Sequence, residues 1–274
     1  MGDYHAAHKA NNYGSSVMKV VIIGHGKMGQ LIESIAPQHA VTLVGIVDRG
    51  FPAEEVKKTQ PPRRFLELTE EALQGVDVVI DFSSPEGILS RIETAAKQKV
   101  PLVIGTTGWE TDIQSAKRLI SKHKSALIAS PNFSIGVQLF LKLIKDAAKL
   151  FAPFVDYDVS IFEQHHSQKK DHPSGTAKEM AAVIMGEMDR KKKVVSELPQ
   201  GAVKATDLTI ASTRAGFHPG QHEVFFDGHD DRITITHTAR NRNNAAKGAL
   251  HAAKWLLGKK GWFDMHDLIK ELNR

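Results

Sequence analysis

Between Glu163 and Thr176 the sequence reads Glu-Gln-His-His-Ser-Gln-Lys-Lys-Asp-His-Pro-Ser-Gly-Thr. This stretch holds three imidazoles, His165, His166 and His172, and two ammonium groups, Lys169 and Lys170. An imidazole titrates near neutral pH, so it both gives and takes a proton. A nearby ammonium counters negative charge on a ligand or on a developing anion. Before the stretch, Val155 to Phe162 alternates roughly apolar and polar residues, the period of a half-buried strand. After it, Ser174-Gly175-Thr176 leads into good helix formers from Ala177 to Met188. A strand end, a donor-rich loop and a helix N-terminus therefore converge, and free N–H groups at such a terminus attract anions. The expected chemistry is protonation of an anionic small molecule. Neighbouring strand residues point to opposite faces, so a loop is expected to begin at His165 and His166 if both are to face one cleft. His165, His166 and His172 lack a carboxylate at a familiar metal spacing, and no metal is expected.

The elements that must position this stretch begin with a second motif. Lys19 to Ile23 is a short apolar run that ends at Gly24-His25-Gly26-Lys27-Met28-Gly29. Apolar residues then recur at Met28, Leu31, Ile32, Ile35 and Ala36, an amphipathic stripe that Pro37 stops. Gly-x-Gly-x-x-Gly thus sits between a strand and a helix, the context in which its backbone N–H groups hold a pyrophosphate. A second strand, Val41 to Val47, ends at Asp48, nineteen residues past Gly29, where a Rossmann unit places the carboxylate that holds a ribose. Asp48 favours NADH, whereas Arg49 beside it suits the extra phosphate of NADPH; either cofactor is expected to serve.

Strand and helix patterns go on alternating. Helices are expected over Phe65 to Leu73, Pro85 to Gln98 and Glu110 to His123, and strands over Val76 to Phe82, Pro101 to Ile104 and Ala126 to Ala129. Such alternation means a parallel sheet covered on both faces, with ligands at the strands' carboxyl ends. That rule places Phe82-Ser83, Gly105-Thr106-Thr107 and Ser130-Pro131-Asn132-Phe133 along the cofactor cleft. A long helix follows from Phe133 to Phe151, after which strands predominate: Thr206 to Thr213, His222 to Phe226 and Arg232 to His237. With Val155 to Phe162 they make a four-stranded sheet, and Asn244 to Leu257 closes the chain as a helix. The fold class is α/β: an N-terminal Rossmann-type dinucleotide-binding domain plus a smaller α+β domain with an open four-stranded mixed sheet.

Composition excludes several classes. The 274 residues contain no cysteine, so disulfides and thiolate metal sites are out. Residues 1–17 are polar, lack the apolar centre of a signal peptide, and read as a disordered extension. No apolar run approaches a bilayer span, so no membrane is expected and the cytoplasm is the default. The net charge of +5 comes from bases spread among 31 acids, not from a basic patch with interleaved aromatics, and no nucleic acid is expected. The one dense run, Arg190 to Lys193, reads as the cationic end of a helix.

The pattern His-His-x-x-Lys-x-Asp-x-Pro-Ser-Gly-Thr resembles the active-site signature of the 4-hydroxy-tetrahydrodipicolinate reductase (dihydrodipicolinate reductase) family. Gly-Thr-Thr-Gly at 105–108 and Asn-Phe-Ser-x-Gly-Val at 132–137 resemble that family's cofactor-contact segments, and the likeness runs from Met18 to the end. The resemblance implies His165 as general acid–base, Lys169 as second proton donor, and His166 with the Gly175-Thr176 backbone on a substrate carboxylate. Asp171 orients the loop by this reading, and Arg214-Ala215-Gly216 resembles a segment near the cleft. It further implies a dicarboxylate substrate, NADH or NADPH as reductant, a role in lysine and diaminopimelate synthesis, and a homotetramer built through the second sheet. Domains are expected at 18–133 (dinucleotide-binding), 134–240 (substrate-binding and oligomerisation) and 241–274 (returning to the first). Many family members carry a longer glycine loop, Gly-x-x-Gly-x-Met-Gly, than the Gly-His-Gly-Lys-Met-Gly here. The alternatives are a non-catalytic dinucleotide sensor, or another Rossmann reductase of the aspartate pathway without the His-His-x-x-Lys signature.

Overall fold

The computed structural model describes residues 17–197, 200–241 and 243–272; the expected extension at 1–17 lies, except for Val17, outside the described residues. Strands β1 (Met18–Ile23), β2 (Val41–Val47), β3 (Arg63–Phe65), β4 (Val78–Asp81), β5 (Leu102–Ile104) and β6 (Ala126–Ala129) alternate with helices α1 (Lys27–Ile35), α2 (Ala53–Val56), α3 (Ile88–Lys97) and α4 (Ile113–His123). Helix α5 (Ile135–Phe151) leads to β7 (Asp158–His165), α6 (Gly175–Glu187), β8 (Lys193–Val195), β9 (Asp207–Arg214), β10 (Gln221–Asp227) and β11 (Arg232–Thr238). The chain closes with α7 (Asn243–Leu256), β12 (Gly261–Phe263) and α8 (Met265–Leu272).

Seven strands form a parallel sheet in the order β12-β6-β5-β4-β1-β2-β3. Its central strands are continuous β-branched runs because both faces are covered, Ile22, Ile80 and Val103 belonging to one buried cluster and Val21, Val79 and Leu102 to the other. On the first face α1 meets α7, whose Gly248 lies so close to the chain that a Cβ there would stand 1.7 Å from the Phe133 carbonyl oxygen. Strand β12 pairs with β6, so the last residues complete the first sheet. The strand order reverses at β1 and β4, which opens the ligand crevice of such a sheet at their carboxyl ends.

The second sheet has order β11-β10-β7-β9-β8, antiparallel on the β10 side of β7 and parallel on the β9 side. Helices α5 and α6 pack on one face, where Phe140, Ile144, Ile161, Met180, Ile184 and Phe226 share a core. Among the described residues no helix is long and apolar enough to cross a membrane.

Several expectations change. Residues 65–73 are not helical: Phe65 pairs with Val47 as the end of β3, and only a short 3-10 turn at Glu71–Leu73 follows. The second sheet has five strands rather than four, because β8 joins β9. The run Arg190 to Lys193 does not end a helix. Arg190 donates to the carbonyls of Ala152 and Tyr157, at 2.6 Å each, while buried Lys191 donates to the carbonyls of Ala205 and Asp207. Arg190 and Lys191 are thus structural cations that tie β8 to the neighbouring chain, while Lys192 and Lys193 are exposed. Strand β7 also lies three residues later than its alternation suggests. As the middle strand it stays paired up to His165, opposite Arg214.

Candidate active site

In β7 the buried residues alternate as Val159, Ile161, Glu163 and His165, so Glu163 and His165 share the helix-covered face. The loop therefore starts one residue later than expected, and His166 is the first residue past the strand. Register supplies the rest of the cluster. Glu163 stands opposite Ser212 of β9 on one side and His222 of β10 on the other. Its Oε1 accepts from Ser212 Oγ (2.7 Å), Arg214 Nη2 (2.8 Å) and the Ser174 N–H (3.0 Å). Its Oε2 lies 3.2 Å from His165 Nδ1 and 3.8 Å from His222 Nε2. The His165 and His222 rings meet edge to face at 5.0 Å.

The electrostatics follow from this packing. Burial pushes the Glu163 carboxyl up, but His165, Ser174, Arg214 and Ser212 together outweigh it and hold the group well below the usual carboxylate range. Burial foremost, with His165 beside it, lowers the His222 imidazole to about 4, so it is neutral near neutral pH. Glu163, His165 and His222 are all buried, and their donor atoms lie within 4.8 Å of one another, the kind of set that ligates zinc. This carboxylate–imidazole trio was not foreseen from the sequence. The Arg214 guanidinium already neutralises its carboxylate, which opposes a second cation.

Helix α6 begins at Gly175, two residues before the expected Ala177. Ser174 is its N-cap, accepting from the Ala177 N–H at 3.2 Å, which leaves Gly175 and Thr176 in the first turn with Gly175 exposed. Lys169 Nζ donates to Asp171 at 2.6 Å. Partial burial raises the Asp171 carboxyl, but Lys169 and the backbone N–H groups of Asp171 and Gly175 outweigh it and lower the group. A carboxylate of the chain itself thus lies against both Lys169 and the helix terminus. Lys170 and His172 are not part of these contacts.

The second site lies at the carboxyl ends of β1, β2 and β4. A cleft of about 630 Å³ is lined by Gly24, Gly26, Asp48, Arg49, Ser83 and Arg91, among others. Gly24 has φ +89°, and a Cβ there would meet the Phe82 backbone at 2.5 Å. A Cβ on Gly29 would stand 2.0 Å from the Gly24 carbonyl oxygen, whereas one on Gly26 meets nothing within 4 Å. The loop is therefore folded tightly beneath and open above, the shape that lets a pyrophosphate approach backbone N–H groups at the start of α1, where Lys27 and Met28 lie. Asp48 accepts from the His25 N–H (2.6 Å) and the Gly50 N–H (2.8 Å), and His25 Nε2 meets Glu33 at 2.7 Å. These features fit a dinucleotide.

The remaining expected cofactor residues do not line that cleft. Thr106 is buried, its hydroxyl bonded to Asp81 at 2.9 Å and accepting from the Ser83 N–H. Gly105 gives way to the Phe82 ring, 2.0 Å from a Cβ built there. Phe133 is 1% exposed and packs edge to face on Phe82, so only its backbone is available to a ligand. Ser130 is buried and bonds the Asn132 carbonyl, Pro131 and Thr107 are exposed, and Asn132 closes the turn into α5.

The profile described as "Dihydrodipicolinate reductase, N-terminus" matches residues 18–133, and the one described as "Dihydrodipicolinate reductase, C-terminus" matches residues 136–269. The chain belongs to the dihydrodipicolinate reductase family. A 4-hydroxy-tetrahydrodipicolinate reductase of Christiangramia forsetii is 34% identical over 93% of this chain and 99% of its own length. That of Burkholderia thailandensis is 37% identical over 93% and 98%. Among solved structures, a dipicolinate-bound dihydrodipicolinate reductase from Paenisporosarcina sp. TG-14 aligns with a TM-score of 0.73 at 27% identity, covering 90% of this chain and 97% of that one. A probable dehydrogenase from Thermotoga maritima, at 13% identity and TM-score 0.56 over 86% of each chain, shares the fold alone.

Proposed function

We propose that the chain reduces 4-hydroxy-tetrahydrodipicolinate to tetrahydrodipicolinate, with loss of water, in lysine and diaminopimelate synthesis. The observation that carries the substrate class is the placement of Asp171. Its carboxylate meets the Lys169 ammonium and the α6 N-terminus, so the same two groups can receive a carboxylate of the substrate. Lys169 and the Gly175 and Thr176 N–H groups bind and orient the dicarboxylate, with His166 beside them at the strand's end. His165 gives a proton to the ring as it is reduced, and Lys169 serves as the second donor. NADH or NADPH, held by the Gly24–Gly29 loop, Asp48 and Arg49, supplies the hydride. The Gly105–Thr107 and Ser130–Phe133 turns shape the far wall through their backbones.

The division at 18–133, 134–240 and 241–274, a cytoplasmic location and a homotetramer assembled through the second sheet belong to the same reading. Sedimentation of the full chain tests the tetramer. The reaction itself is tested by the loss of nicotinamide absorbance, with substrate generated in situ from pyruvate and aspartate semialdehyde by the preceding synthase. His165→Gln is expected to lower kcat by roughly 10²-fold or more while dinucleotide binding persists. No turnover by folded, dinucleotide-binding wild-type protein would favour a sensor instead.

A further inference from the structure

We infer that Glu163 is a positioning residue for His165: its Oε2 accepts a hydrogen bond from the imidazole Nδ1–H and leaves Nε2 as the nitrogen that transfers a proton. This rests on the proposed role of His165. The first support is the unequal use of the two carboxylate oxygens. Oε1 has three donors, from Ser174, Ser212 and Arg214, which fix the carboxylate plane. Oε2 is buried with no hydrogen bond of its own, and so is His165 Nδ1, 3.2 Å away. A buried acceptor and a buried ring nitrogen left unmade each cost about 1–3 kcal/mol, and a small turn of the ring satisfies both. Catalytic hydrogen bonds are often long or off-line before a substrate binds.

The competitors for Oε2 are weaker. His222 Nε2 is farther, at 3.8 Å, and it already meets Ser174 Oγ at 3.2 Å. Lys169 is paired with Asp171, and Arg214 turns Nη2 to Oε1 and the Asp171 carbonyl and Nη1 to the Thr213 carbonyl, with its buried Nε left unbonded. The other edge of the imidazole is kept clear by the backbone. A Cβ on Gly220 would stand 2.9 Å from His165 Nε2, and Gly220 has φ +153°, a conformation that favours glycine. With Nδ1 held by the carboxylate, Nε2–H is the bond that breaks. The proton goes to the ring carbon, its electron pair stays on nitrogen, and Glu163 keeps the imidazole in the tautomer ready for reprotonation at Nε2.

The experiment pairs nitrogen-15 NMR of the histidine rings with steady-state kinetics, on the full-length wild type, Glu163→Gln and Ser212→Ala. The His165 signals are assigned by their loss in His165→Gln. In wild type above the imidazole's titration, Nδ1 is expected to carry the proton. In Glu163→Gln that preference is expected to vanish and kcat to fall by roughly 10²-fold with KM changed by less than about threefold. Ser212→Ala removes a bond to Oε1 only and is expected to keep the tautomer. A wild-type ring protonated at Nε2 overturns the inference, as does a Glu163→Gln enzyme with near-normal kcat. If Glu163→Gln fails to fold, the wild-type tautomer still decides. If the wild type shows no turnover, the proposed reaction fails while the NMR result judges the pair by itself.

Discussion

The two sites are held by different physics. The nucleotide cleft is shaped by backbone against backbone: Gly24 on the Phe82 chain and Gly29 on Gly24. The end of β7 is shaped by buried charge, with Glu163, Arg214, Ser174, Ser212 and His222 joined in one network. Close backbone packing tolerates no added atom but is indifferent to pH. A buried ionic network tolerates small changes of shape yet answers to every proton.

The comparison breaks first at Gly29. A methyl group there would lie 2.0 Å from the Gly24 carbonyl oxygen, and backbone cannot step aside as a flexible side chain does. Gly29→Ala is expected to cost about 3 kcal/mol or more in urea unfolding and to abolish NADH binding in a fluorescence titration. Gly26→Ala, which meets nothing within 4 Å, is expected to leave stability within about 0.5 kcal/mol of wild type. Equal effects of the two would mean that the loop is not packed as described.

His222 sharpens the other half. Burial lowers its folded pKa to about 4 against an ordinary 6.5, so the unfolded chain binds the extra proton between those values. Stability from this group is fully present above pH 6.5 and is lost as pH falls toward 4. The loss approaches about 3 kcal/mol. Glu163, depressed in the folded chain, adds its own loss as pH falls from the ordinary carboxylate range downward. His222→Gln is expected to remove about 3 kcal/mol of the difference in unfolding free energy between pH 7 and pH 4. An unchanged difference would mean that His222 is not buried neutral.

The same contrast explains what was legible in the sequence. The glycine loop is contiguous, and its chemistry depends on local backbone shape, so Gly24 to Gly29 with Asp48 could be read directly. The centre of the first sheet followed from alternation, but neither edge did: β3 ends at Phe65, where a helix was expected, and β12 at Gly261–Phe263 was not expected at all. The histidines of 165–172 stood out by type. Their supports did not, because Ser212 and Arg214 lie 49 and 51 positions from Glu163 and meet it only through strand register. One signal was present: Glu163 and His165 are two apart in a strand and must share a face. Placing the strand end at Phe162 hid it. Likewise, the Arg190–Lys193 run read as the end of a helix, since no local pattern shows that Lys191 is buried against Ala205 and Asp207.

The smallest expected effect lies where the two kinds of construction meet, at Arg49. Two guanidiniums flank Gly87 at the rim of the nucleotide cleft, within 3.6 and 3.7 Å of a Cβ built there. Arg91 is fully engaged, donating to Asp81 and to the carbonyls of Glu86 and Ser84. Arg49 feels Glu86 through charge alone, and it helps hold that carboxyl down after the bonds to Ser84 and to its own backbone have acted. Arg49 is therefore the cation available to a 2′-phosphate, while Asp48, fixed by two backbone N–H groups, remains an acceptor for a ribose hydroxyl. An exposed charge-assisted contact contributes about 1 kcal/mol, so Arg49→Ala is expected to weaken NADPH roughly fivefold and leave NADH unchanged. Raising the salt should shrink the difference in NADPH affinity between the wild type and this variant, because an exposed pair is screened. Equal loss of both cofactors would place Arg49 on the pyrophosphate instead and leave Asp48 to set the preference.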